Sequence, residues 1–306
     1  MEDRKMQRRD FIKKTVGAVV TFPFLPKILL SSDKLNYPDI VVTKNGTPRA
    51  LVRKAIEELG GMSRFVKRGD IVVVKPNISW DRVPEQAATT NPEVVAEVVR
   101  LCFEAGAKKV KVFDRTLNEP KRCYRRSGIE KAAKKAGADV HYVYERMFKT
   151  VSFPDGELIK SWPLYKEVLD ADRIINIPVV KNHSIAGVTL GMKNYMGFLG
   201  GNRGRFHRYF DVKITDLNTK IRADLILLDA YRMLIRNGPT GGNLADVVLK
   251  KTVVAGVDPV AVDSFGATLL GINPAELSFL REAHKRGLGE IDFKNKLSIK
   301  TYSVTE

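Results

Sequence analysis

The chain has 306 residues, of which 44% are hydrophobic, enough for one large domain or two modest ones with a substantial core. Its net charge of +17 favours anionic partners. However, the basic residues are spread along the whole chain, and no zinc-knuckle spacing, aromatic RNA-binding signature or arginine-rich tail points to nucleic acid. Two cysteines, Cys102 and Cys123, without any C-x-x-C exclude a four-thiolate iron–sulfur cluster held by this chain alone.

"RRDFIKK" (Arg8–Lys14) precedes the moderately apolar "TVGAVVTFPFLP" (Thr15–Pro26), and together they resemble a twin-arginine export signal. Residues 1–36 are therefore expected to be a signal and linker, with 37–306 as a single α/β domain. Gln7 stands where Ser or Thr is usual, no A-x-A cleavage site follows, and no lipobox cysteine is present. The expected location is periplasmic, extracytoplasmic or membrane-tethered by an uncleaved signal, with the twin-arginine translocase as a partner during export. That route carries folded proteins, which need no disulfide framework.

Apolar runs of strand length then alternate with helical patterns. Strands are expected at Asp39–Thr43, Ile71–Lys75, Val110–Phe113, Asp139–Tyr144, Arg173–Val180, Asp224–Leu228, Thr252–Val257 and Leu297–Tyr302. Helices are expected at Pro48–Leu59, Pro92–Ala105, Lys121–Ala136, Arg205–Ile221, Pro259–Leu270 and Pro274–Arg286. Asn91-Pro92, Asp258-Pro259 and Asn273-Pro274 each place a capping side chain before a proline at the first helical position. Val- and Ile-rich strands between amphipathic helices predict an α/β fold, a largely parallel sheet with helices on both faces. "KTVSFPDGELIKSW" breaks the alternation and reads as a small β-hairpin insertion near 148–165. Cys102, in a helical pattern, is expected in the core and Cys123, in "KRCYRR", at the surface.

Ligands of open α/β sheets bind beyond the carboxyl ends of the strands. Two strands finish alike: "IVVVKPN" delivers Lys75 and Asn77, and "IPVVKNH" delivers Lys181, Asn182 and His183. Other ends carry Asp114, Asp229 and Asp258, and Asp263 follows in the next helix as a ligand or a buried capping partner. Lys181–Arg208 continues the same edge with five Lys/Arg, two histidines and six glycines in twenty-eight residues. Glycines let backbone N–H groups approach an anion, while Lys193, Arg203 and a helix N-terminus supply positive potential, with Asn194 between. Neither a Walker motif nor a G-x-G-x-x-G fingerprint occurs there. "NGPTGGN" (Asn237–Asn243) is a second loop that could close over this edge.

His183 is a candidate proton donor or acceptor, and Lys181 a candidate base or nucleophile among other cations. Lys75, Asn77, Asn182, Lys193, Asn194, Arg203 and His207 are the candidate anion-binding set. His183 and His207 with Asp229 or Asp258 would make a weak metal set, so the metal is left open. His141 and His284 read as packing and surface residues.

The motifs "VVVKPN" (72–77), "TTNPEVV" (89–95), "AGAKKVKVFD" (105–114), "IPVVKNHSIAGVTLGMKNYMG" (177–197), "RFHRYFDVKITDLN" (205–218), "ADLILLDA" (223–230), "NGPTGG" (237–242) and "GVDPVAVDSFGATLLG" (256–271) resemble the domain-of-unknown-function 362 family. The resemblance covers roughly residues 38 to 285, and its most specific part is Lys-x-His followed ten residues on by Lys193-Asn194. It implies the same constellation, Lys75/Asn77 and Lys181/His183/Lys193/Asn194 with Asp258 and Asp263. It also implies a redox association, because many members carry a ferredoxin-like cysteine segment. This chain has none, so its cofactor stays unidentified, and Tyr231–Arg236 is more basic than the family pattern suggests. Two functions follow from these residues: binding and turnover of an anionic, phosphate- or carboxylate-bearing small molecule, or non-catalytic cofactor binding or assembly for an exported redox partner protein.

Overall fold

A computed structural model describes residues 37–304; the twin-arginine motif lies outside the described residues. Strands β1 (Ile40–Lys44), β2 (Ile71–Pro76), β3 (Lys109–Val112) and β4 (Asp139–Val140) alternate with helices α1 (Pro48–Glu58), α2 (Pro92–Glu104), α3 (Pro120–Arg126) and α4 (Ile129–Lys135). An antiparallel hairpin follows, β5 (Phe148–Ser152) with β6 (Ser161–Tyr165), which is the insertion expected near 148–165. Next come α5 (Lys166–Leu169), β7 (Arg173–Ile177), β8 (Val179–His183), β9 (Gly187–Thr189), α6 (Gly191–Asn194) and α7 (Phe210–Lys220). The chain then runs through β10 (Leu225–Leu234), β11 (Val247–Gly256), α8 (Pro259–Leu269), α9 (Ser278–Lys285), α10 (Phe293–Lys296) and β12 (Ile299–Ser303).

The main sheet has the order β12-β1-β11-β10-β7-β2-β3-β4. From β10 to β4 it is parallel throughout, and β12 is parallel to β1. Only β11 runs against its neighbours β1 and β10 in this row. The fold is thus mixed α/β with a mostly parallel sheet covered on both faces, as the alternation predicts. Alternation within β2 explains the two layers. Val72 and Val74 pack with α1 and α2, while Val73 joins the opposite core, and all three are fully buried. Each such side chain contributes roughly 1.5–3 kcal/mol on leaving water. Lys75 follows Val73 at a spacing of two and so projects into the second layer.

Local chemistry sets the helix starts. Asn91 accepts a hydrogen bond from Glu93 N–H, and Asp258 from Ala261 N–H. Asn273 instead caps a single 3-10 turn, Pro274–Glu276, and α9 begins only at Ser278. The predicted helix over Lys121–Ala136 is two helices, broken where Gly128 adopts φ 73°. The predicted helix over Arg205–Ile221 is likewise broken. Arg203–His207 forms a 3-10 turn and Tyr209, at φ 58°, redirects the chain into α7. Asp139–Tyr144 yields only a two-residue strand.

Pro178 divides the expected strand Arg173–Val180. The long β10 pairs with β7 through Leu225 and Ile226, then with β8 through Asp229 and Leu234. Beyond that break, β8 and β9 form an antiparallel hairpin at the carboxyl edge of the sheet. Cys123 is a further correction. It is buried on α3 with its Sγ donating to Ser79 O at 3.7 Å, and burial pushes its thiol up to about 11. Its basic neighbours in sequence lie on the other side of a short helix, where they do not lower it.

Candidate functional site

The β8–β9 hairpin makes one wall of a cavity of about 140 Å3. In a strand, residues two apart share a face, so Lys181 and His183 both turn inward while Asn182 turns away. Asn182 serves the wall itself: its Oδ1 accepts Gly238 N–H at 3.3 Å and its amide donates to Gly187 O. Thr189 lies opposite Lys181 in the register, which places the two side chains on the same face. Its hydroxyl is buried against the cavity with no hydrogen-bond partner among the described residues.

The floor is a polar network around Lys75, whose side chain has no exposure. Its ammonium lies 3.0 Å from Asp114 Oδ1, donates to Pro76 O at 2.7 Å and meets Asn194 Oδ1 at 3.3 Å. Asn194 in turn donates to Lys75 O and to Asn176 Oδ1, and accepts from the Asn77 amide. Asn194 thus acts as a clamp whose hydrogen-bonding capacity is largely spent on the protein. Asp114 also accepts Ile78 N–H at 2.7 Å. Gly197 permits this closeness, because a Cβ there would sit 1.8 Å from Asp114 Oδ1.

Among the described residues, three basic side chains line the cavity, Lys181, Lys193 and Arg203, and no carboxylate does. Arg203 is oriented by donation to Arg115 O and Thr116 O, at 2.6 and 2.8 Å. Lys181 donates to Ala88 O at 2.6 Å and Pro239 O at 3.1 Å. Pro239 belongs to the Asn237–Asn243 loop, which does border this edge. Lys193 makes no hydrogen bond or ion pair with any described residue, and burial followed by the Arg203 charge lowers its ammonium to about 8. Burial, then the neighbouring Lys193 charge, holds Lys181 well below the usual ammonium range.

His183 has a defined tautomer. Its Nδ1 accepts the N–H groups of Ile185 at 3.1 Å and Ala186 at 3.2 Å, so the ring proton resides on Nε2. Burial, Lys193 and His207 lower its pKa to about 3, which keeps it neutral. The cavity therefore sees a neutral N–H donor, and the acceptor role expected for His183 would require giving up both backbone contacts. The His207 ring stacks 5.9 Å from it, and burial and Lys193 lower that imidazole as well.

Of the residues singled out in the sequence, Asn77, Lys181, His183, Lys193, Asn194, Arg203 and His207 line the cavity, and Lys75 with Asp114 lies beneath it. The other three carboxylates do not converge there. Asp229 is spent on Asn91 N–H and Tyr231 N–H, and its pKa is pushed by burial to about 6. Asp258 caps α8 and accepts Glu290 N–H. Asp263 holds Gly191 N–H and Met192 N–H, fixing the turn that carries Lys193, and burial raises it to about 7. No group of three or more His, Cys, Asp or Glu able to hold a metal occurs among the described residues. Sequence reading missed Thr189, Ser79, Trp80, Met196 and Leu117 on the walls and Asn176 beneath. Of these only Thr189 had a signal, its place opposite Lys181 once the hairpin is recognised.

The family model of domain of unknown function 362 matches residues 72–268, a span that holds every strand end and loop just described. The chain belongs to the domain-of-unknown-function 362 family. A thylakoid-associated protein of Synechocystis sp. is 30% identical over 251 residues, covering 79% of this chain and 76% of that protein. Among solved structures, the lactate racemase apoprotein of Thermoanaerobacterium thermosaccharolyticum aligns with a TM-score of 0.43 and 12% identity, over 81% of this chain. A Thermotoga maritima protein aligns at 0.40 and 13%, over 73%. The chain spans only 56% and 58% of those two proteins.

Proposed function

We propose that this domain-of-unknown-function 362 protein binds and turns over a small phosphate- or carboxylate-bearing molecule in the cavity at the carboxyl edge of its sheet. The observation that carries this reading is Lys193, a largely buried ammonium without a partner among the described residues, in a cavity they line with two further basic side chains and no carboxylate. An anion supplies the missing counter-charge, and in a site of low dielectric each charge-assisted hydrogen bond is worth more than in water. Lys193 and Arg203 hold the anionic group. His183 offers Nε2–H to an oxygen of the substrate, and Lys181, on the same strand face, supplies an amine.

The test is native mass spectrometry on the full chain for a co-purified ligand, followed by turnover assays on anionic candidates. Loss of turnover in Lys181→Ala and His183→Ala with ligand binding retained is the expected result. Binding without turnover of any candidate would make the chain a holder or delivery protein, serving an exported redox partner. Export itself is proposed from Arg8 and Arg9. A reporter fused to residues 1–36 should leave the cytoplasm, and should stay there when both arginines become lysine.

A further inference from the structure

Lys181 differs from Lys193 and Arg203 in how its nitrogen is held. A neutral primary amine has two N–H groups and one lone pair. Two backbone carbonyls, Ala88 O at 2.6 Å and Pro239 O at 3.1 Å, take up two donors of Lys181 Nζ. No carboxylate forms an ion pair with it among the described residues, and its side chain lies on the cavity wall, only 1% exposed. With both N–H groups directed at carbonyls, the remaining direction is the lone pair, and the cavity is the open side. Burial, then the neighbouring Lys193 charge, opposes its protonation.

Two donors stand on the same wall. His183 shares the β8 face with Lys181 and presents Nε2–H. Thr189, opposite Lys181 in the register, has a buried hydroxyl without a partner among the described residues. A nucleophilic nitrogen beside two hydrogen-bond donors suits a polarised C=O group, whose carbon meets the amine while its oxygen meets the donors. The unpartnered Lys193 and the fixed Arg203 then take an anionic substituent of the same molecule.

We infer that the Lys181 amine adds to the carbonyl carbon of a small anionic carbonyl compound, an α-keto acid or a phosphorylated aldehyde, and forms an imine with it. This deepens, and rests on, the anion-binding reading above. The nitrogen lone pair forms the C–N bond and the C=O π pair moves to oxygen, where His183 and Thr189 hydrogen-bond it. A proton passes from nitrogen to that oxygen to give a carbinolamine. The hydroxyl then leaves as water with uptake of one solvent proton, and a protonated imine remains. No oxidant or reductant is consumed.

The test incubates the full chain with pyruvate, or separately with glyceraldehyde 3-phosphate, plus sodium cyanoborohydride, which delivers hydride to an imine carbon and makes the link permanent. Intact mass and peptide mapping should show one addition per chain, on Lys181, suppressed by excess sulfate. The probe that labels distinguishes the keto acid from the phosphorylated aldehyde. Sulfate titration by calorimetry on the same preparation separates the two levels of the proposal. Sulfate binding with Lys181 unlabelled by both probes, or with label on Lys193 or surface lysines instead, would overturn imine formation and leave the anion site standing. Absence of both sulfate binding and Lys181 labelling would overturn the anion site as well.

Discussion

Lys75 Nζ lies 3.0 Å from Asp114 Oδ1, with both side chains sealed from solvent, so the carboxylate next to the cavity is committed before any ligand arrives. Lys181, Lys193 and Arg203 are left facing a cavity that no acidic residue lines among the described residues. The positive potential is thus built into the fold, and its cost is visible in the lowered pKa values of Lys181 and Lys193.

Breaking the floor pair should be expensive. Asp114→Asn leaves a buried ammonium without its charge partner and is expected to cost about 3–5 kcal/mol, read from urea unfolding midpoints. Lys75→Met combined with Asp114→Leu should recover most of that loss, because both charges then leave the interior together.

Gly197→Ala should damage the same floor without altering any charge. The new Cβ would fall 1.8 Å from Asp114 Oδ1 and 2.8 Å from Lys75 Nζ, so the network must separate. On the order of 3 kcal/mol of stability should be lost, with sulfate affinity falling in parallel.

Anion affinity should depend on pH through Lys193. Free Lys193 titrates near 8 because it is buried beside Arg203, and a bound anion favours its charged form. The sign follows directly: binding takes up a proton above that pKa and none well below it. Sulfate, which does not titrate in this range, should bind with constant affinity below about pH 7 and lose about tenfold per unit above pH 8. His183, near 3, stays neutral across this range and does not contribute. Calorimetry in two buffers of different ionisation enthalpy would report the proton uptake.

Two of the three displaced carboxylates, Asp229 and Asp263, should behave differently from each other. Asp229→Asn replaces one acceptor of two backbone N–H groups and should cost about 1–3 kcal/mol, with sulfate affinity unchanged. Asp263→Asn disturbs the Gly191 and Met192 N–H groups that set the turn carrying Lys193. It should weaken sulfate binding as well as stability, because Asp263 acts as a positioning residue. Thermal melts and titrations on both variants separate the cases.

Strand ends were readable because a buried parallel strand needs only a run of Val and Ile followed by a polar exit, which "VVVKPN" and "PVVKNH" both have. That Lys181 and His183 share a face was not, because the expected strand stopped at Val180 and only the β8–β9 pairing carries it on to His183. Roles of the carboxylates were not readable either, because a buried Asp that accepts two N–H groups and a ligand-facing Asp look alike in one dimension. Asp229 and Asp263 are of the first kind. Breaks inside helical patterns were also hidden: Tyr209 takes a left-handed φ that its residue type does not advertise, and this break keeps Arg203 and His207 over the cavity. Cys123 was misjudged because periodicity over seven residues does not say which side of a short helix is covered.

The most direct measurement is titration of sulfate into the wild-type chain and Lys193→Met at pH 7, with ligand-free melting curves for both. An anion site requires that the wild type binds and that the variant binds at least about tenfold more weakly, since a charge-assisted contact is lost. Removing a partnerless buried ammonium should meanwhile leave the ligand-free melting temperature unchanged or higher. Equal sulfate affinity in the two proteins, or a variant that melts lower while binding as well as the wild type, would contradict it.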